Sequence, residues 1–115
     1  MFDAVWIALT FPEVEESTSY NTPAFKVRKK LIARLREDGF SLAIKAAQTN
    51  IEALPQIDPA TFSVPQHYVG YSMIVINLNT VRLEELRGLF AVAWRMVAPK
   101  SLLKKVASAR HSLEG

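Results

Sequence analysis

At 115 residues and 12.9 kDa the chain has the length of one domain, and a composition 50% hydrophobic and 22% charged excludes disorder along its whole length. The lack of cysteine excludes disulfide scaffolds, thiol nucleophiles and cysteine-ligated zinc, and no apolar run approaches the ~20 residues that span a bilayer. A net charge of +3 hides segregation: Ser17–Arg36 and Leu86–Leu113 each hold six basic residues and no acid, leaving Lys45 and Arg82 beside all eleven acids.

Phe2, Val5, Trp6 and Leu9 recur at helical spacing, and Pro12 bounds this short first helix. Val14 to Tyr20, rich in Ser and Thr, reads as a strand, and Asn21-Thr22-Pro23 as a turn. Phe25 and Val27 alternate with Lys26 and Arg28, and Leu31, Ala33 and Leu35 with Ile32, Arg34 and Arg36, the period of half-buried strands. Asp38-Gly39 predicts a tight turn into a strand over Phe40–Lys45. These strands, joined by short connections, predict an antiparallel meander.

Asn50 predicts the N-cap of a helix around Ile51–Leu54, which Pro55 shortens or kinks unless it begins nearer Ala46. Phe62-Ser63-Val64 fits a brief edge strand, and Met73–Leu78, mostly apolar, a central one. Thr80 predicts the cap of the longest helix, whose apolar stripe runs from Leu83 to Val97 before Pro99 stops it. Ser101 predicts the cap of a further short helix with Leu102, Leu103 and Val106 inward. The order predicts a single domain over 1–115 of the α+β class: two layers, an antiparallel sheet with the N- and C-terminal helices on one face. Trp6, Phe25, Leu35, Ile44, Val75, Leu86, Phe90 and Trp94 are expected in one core.

The run Pro12-Glu13-Val14-Glu15-Glu16-Ser17-Thr18-Ser19-Tyr20, then Thr22-Pro23-Ala24-Phe25-Lys26-Val27, resembles the opening signature of the MmcQ/YjbR family. Leu31–Leu35, Pro65, His67-Tyr68, Gly70-Tyr71, Ala93-Trp94-Arg95 and Ala98-Pro99-Lys100 are similar in order and spacing, so the resemblance covers nearly the whole chain. It implies a YjbR/CyaY-like fold, related in shape to frataxin, and DNA binding through a double-wing surface of the sheet; no enzyme activity defines the family. The family usually has Gly where this chain has Asn21 and Lys29, and often Pro-Trp where it has Ser72-Met73. Lysine at a turn that favours Gly pays strain or changes the turn type.

Two acid-free windows favour an anionic partner, of which nucleic acid is the commonest, although folding beside the acidic segments would neutralise them equally well. Side-chain alternation puts Lys26, Arg28 and Lys30 on one strand face, and Arg34 and Arg36 on one face of the next. The two sets join only if the loop between them has an odd residue count or a bulge. A converged set makes sense facing an anion, whereas solvated cations on a sheet face also simply prevent edge pairing. Lys100, Lys104 and Lys105 offer a second contact zone.

A rival reading is a protein- or small-molecule-binding module that uses the loop carrying His67, Tyr68 and Tyr71. Either tyrosine can stack on a base, or pack over a sheet edge. His67 can contact a ligand or titrate, or hold the turn through a backbone hydrogen bond. His111 lies close to the C-terminus. Glu13, Glu15 and Glu16 invite comparison with frataxin's acidic ridge, but Glu15 and Glu16 should point to opposite faces. No phosphate loop, Ser-His-Asp arrangement or HExxH motif is present. The expectation is therefore a cytoplasmic, monomeric, non-enzymatic protein without metal, cofactor or membrane attachment, binding DNA weakly and with little regard to sequence.

Overall fold

Alternation of apolar and polar residues marks a strand with one buried face, and a continuous apolar run one buried on both; six strands form in the computed structural model, which describes residues 2–19 and 22–104. The order is α1 (Phe2–Leu9), β1 (Val14–Ser19), β2 (Thr22–Val27), β3 (Lys30–Leu35), β4 (Ser41–Lys45), α2 (Gln48–Ile57), β5 (Phe62–Ser63), a 3-10 turn (Gln66–Tyr68), β6 (Met73–Asn77) and α3 (Leu83–Val97). The sheet runs β1-β2-β3-β4-β6-β5 with every neighbour antiparallel. This is the expected α+β meander extended by two strands. The chain leaves β4 through α2 to reach the short edge strand β5, then returns so that β6 fills the gap.

Asp38 makes the β3–β4 turn. Its carboxylate accepts from the backbone N–H of Phe40 and Ser41, 2.9 Å each, and from the Ser41 hydroxyl. Gly39 supplies the positive φ, 81°, that closes the turn. One face of the sheet is covered by α3 and α1. Phe25 meets Phe90 edge to face at 6.3 Å between ring centres, and Leu35, Ile44, Ile74, Ile76 and Leu86 complete this core. Trp94 packs beside Phe11 and donates its indole N–H to the Pro12 carbonyl at 2.8 Å, tying α3 to the end of α1.

Two expected core residues go elsewhere. Trp6 is 69% exposed, because α1 turns Ile7 and Ala8 inward instead. Val75 is buried, but on the opposite face of the sheet, with Ala43 and Met73 beneath Tyr68. The caps also differ. Ala46 still belongs to the sheet end, its N–H bonded to the Ser72 carbonyl, so α2 starts after Ala47, holds Asn50 in its first turn and runs through Pro55. Thr80 is engaged with the Thr61 hydroxyl at 2.8 Å, which leaves the N-cap of α3 to Arg82. Residues 100–104 are helical with Ser101 inside the helix, not capping it, and Leu102 is buried. Tyr20, Asn21, Lys105, Val106 and His111 lie outside the described residues. No helix among the described residues is long and apolar enough to cross a membrane.

Candidate functional site

The faces of the hairpin β2–β3 are decided by its turn and by one extra residue. Val27 pairs with Lys30 across a two-residue turn, Arg28-Lys29, in which both φ angles are positive, 48° and 72°, as a type I′ turn requires. Left alone, that turn would set Phe25 against Ile32 and Ala24 against Ala33, sending Arg34 to the helix side. A bulge intervenes: Lys26 pairs with Leu31, Phe25 with Ala33 and Ala24 with Arg34, so Ile32 is the extra residue and buries beside Ala33. Lys26 and Arg34 therefore share the outer face, the one turned away from α3, and Arg36 follows two residues on.

Not all five basic residues of the hairpin converge. Lys26, Arg34 and Arg36 do. Arg28 sits in the turn rather than the strand, and its Nε and Nη2 bind the two carboxylate oxygens of Glu13 at 3.1 Å each. That hydrogen bonding and the adjoining charge raise the Arg28 pKa above its ordinary value. Lys30 opens β3 in register with Val27, on the other row. Lys45 joins the outer face instead, because it pairs with Met73 next to the Ala43–Val75 pair. It stands outside the acid-free windows, and only the alternation of its own strand pointed to it. Glu15, opposite Lys26, is the acid on the outer face among the described strands, and Glu16 pairs with Phe25 on the other face.

Arg34 is half-buried and already engaged. Its guanidinium donates to the Tyr68 hydroxyl at 3.3 Å, to Thr22 Oγ1 at 3.4 Å and to Glu37 at 3.3 Å. Burial pushes its pKa down, the hydrogen bonds to Tyr68 and Glu37 push it up, and the balance is upward. Glu37 is held below the ordinary carboxylate range by a backbone hydrogen bond and by Arg34. Arg34 thus fastens the 3-10 turn to the sheet, with Tyr68 lying on Ala43, Met73 and Val75.

The His67, Tyr68, Tyr71 set divides. His67 is exposed and its ring lies 4.2 Å from that of Tyr68, centre to centre. Tyr71 is 65% exposed and lines a cleft of about 690 Å³ at the end of the sheet where β3 and β6 begin and β4 ends. Lys30 and Lys45 line the same cleft, as do Leu31, Met73 and Met96. A second hollow, about 460 Å³ between α2 and the segment before β6, is lined by Ile51, Pro55, Tyr68 and Val69, and His67 borders neither. Lys100 and Lys104 are exposed but belong to the helix layer, since Leu102 between them enters the core under α3. The two basic zones therefore occupy different layers.

Glu13 is committed to Arg28, and no group of three or more potential metal-ligating residues occurs among the described residues. The YjbR family model matches residues 9–96. The crystal structure of Deinococcus radiodurans protein DR2400, which carries a DUF419 domain, superposes with a TM-score of 0.70 at 22% identity, over 84% of this chain and 76% of that one. That likeness is one of fold. No curated protein matches the chain.

Proposed function

The chain belongs to the YjbR family, and from that premise we propose that it is a non-enzymatic protein that binds DNA through its phosphates. One observation carries the reading: Lys26 on β2, Lys45 on β4 and Arg36, one residue past β3, make no ion pair among the described residues, although Arg36 feels the charges of Glu37 and Asp38. Like charges gathered on one sheet face repel, and an anionic backbone relieves that repulsion. Contacts of this kind read charge, not base edges, so the affinity is micromolar or weaker at physiological salt and nearly indifferent to sequence. Arg28 and Arg34 contribute less than their charge suggests, because Glu13 and Tyr68 already hold them.

A titration of labelled DNA at several salt concentrations tests the proposal. Roughly three to five neutralised phosphates give a slope of log K against log salt of about −3 to −4.5. Neutralising Lys26, Arg36 and Lys45 together to Gln should flatten the slope by roughly 2–3. Neutralising Lys100 and Lys104, in the other layer, should leave it nearly unchanged. Absence of salt-dependent binding at about 50 mM salt removes the proposal; binding that survives the triple change assigns it to another face.

A further inference from the structure

The cleft at the sheet end combines features that phosphate binding does not need. At about 690 Å³ it falls within the ~300–1,000 Å³ typical of small-molecule sites, whereas backbone phosphates need only a surface. Leu31, Met73 and Met96 make an apolar wall, and Lys30 and Lys45 supply two ammonium groups. The Tyr71 ring stands exposed at the same opening.

That exposure is built into the backbone. Gly70 and Ser72, on either side of Tyr71, both have positive φ, 89° and 55°. For Ser72, which carries a Cβ, that conformation is strained. The segment is tied at both ends, Tyr71 N–H to the Tyr68 carbonyl at 3.1 Å and the Ser72 carbonyl to Ala46 N–H at 2.9 Å. Strain held beside an exposed aromatic ring points to a use for that ring.

We infer that this cleft seats one unpaired nucleobase, stacked on Tyr71 against the methionine wall, with the flanking phosphates on Lys30 and Lys45. The inference rests on the phosphate-binding reading above and adds to it a preference for single-stranded over duplex DNA. Methionine thioethers are adaptable and polarizable, and every base offers a π-face, so the seat is indifferent to which base enters. In a duplex the ring faces are already stacked and cannot enter a cleft; only phosphates and groove edges remain to be touched. Lys26, paired with Leu31 at the cleft's wall, continues the basic track onto the outer face.

The probes are an oligothymidylate of about a dozen nucleotides, an abasic strand of equal length and charge, a duplex, and thymidine monophosphate. Fluorescence anisotropy, with the monophosphate as competitor, should show the oligothymidylate binding about tenfold tighter than the abasic strand. Tyr71→Ala should close that gap without altering the salt slope, Met96→Ala should narrow it, and Tyr71→Phe should preserve it. Equal affinity for the two strands with the salt slope intact overturns the base seat and leaves phosphate binding standing. No salt-dependent binding to either strand overturns both readings. Monophosphate binding as tight as the strand's overturns a single-strand site in favour of a free-nucleotide pocket.

Discussion

Arg28 and Lys29 occupy backbone conformations that most L-residues avoid, with φ of 48° and 72°. The left-handed region costs a residue with a Cβ about 1–2 kcal/mol, and the exposed, solvent-screened Glu13–Arg28 pair offsets little of it. Replacing Lys29 by Gly removes the strain at that position, offset in part by the extra freedom of Gly in the unfolded chain. A net gain of about 0.5–1 kcal/mol is expected in urea denaturation. Asp38 carries the pH dependence at this scale. Burial opposes its ionisation, but the Ser41 hydroxyl and the N–H groups of Phe40 and Ser41 more than compensate, and its pKa lies below the ordinary value. The unfolded chain therefore takes up the proton first as pH falls. The stabilisation is complete above the unfolded pKa and fades as pH drops through the folded one, that is, below about pH 4. Asp38→Asn should flatten this acid limb in denaturation midpoints measured across pH.

Two tryptophans show how much an element's surroundings matter. Trp94 on α3 is 5% exposed and Trp6 on α1 is 69% exposed. Trp94→Ala removes a ring packed on Phe11 together with its bond to Pro12, and should cost about 3–5 kcal/mol. Trp6→Ala should stay within about 0.5 kcal/mol. The same denaturation series reads both, and a near-neutral Trp94→Ala would contradict the packing described. The meander was legible because alternation and Asp38-Gly39 act locally. Which side of α1 faces inward was not, because its apolar residues spread around the helix on either side of Asp3 and only packing against α3 and β1 chooses. Nor could local pattern reveal that Thr80 would bond Thr61, 19 positions away, instead of capping α3. The bulge at Ile32 was legible only as a condition: the sequence shows that charge converges if one residue is extra, and tertiary burial of Ile32 makes it so.

At the scale of the molecule, the two acid-free windows separate into different layers. Among the described residues, the first supplies Lys26, Arg34 and Arg36 to the outer face of the sheet, and the second supplies α3 and residues 100–104 to the helix layer. Composition alone could not tell these apart, and it also hid Lys45, whose surroundings in sequence hold no cluster of cations. Because the outer cations lie on the opposite face from the Phe25–Phe90 core, function and stability are expected to separate. The Lys26, Arg36 and Lys45 triple change to Gln should shift folding stability by only about 0.5 kcal/mol per site, while removing most of the salt-dependent binding. A cooperative loss of structure in that variant would show that the outer face supports the fold as well.

The strained turn also bears on how quickly the molecule assembles. The hairpin β2–β3 closes over two residues, whereas β6 must return across α2 and β5 before it pairs with β4. Contacts close in sequence pay little loop entropy and form early. Lys29 therefore places its strain at the start of the route, where it slows folding, and through that rate lowers equilibrium stability, without speeding unfolding. Relieving it with Lys29→Gly should steepen none of the chevron arms, but should raise the folding limb by about three- to fivefold while the unfolding limb stays in place. The Arg28-Lys29 turn is then a brake on folding that leaves the lifetime of the folded molecule unchanged.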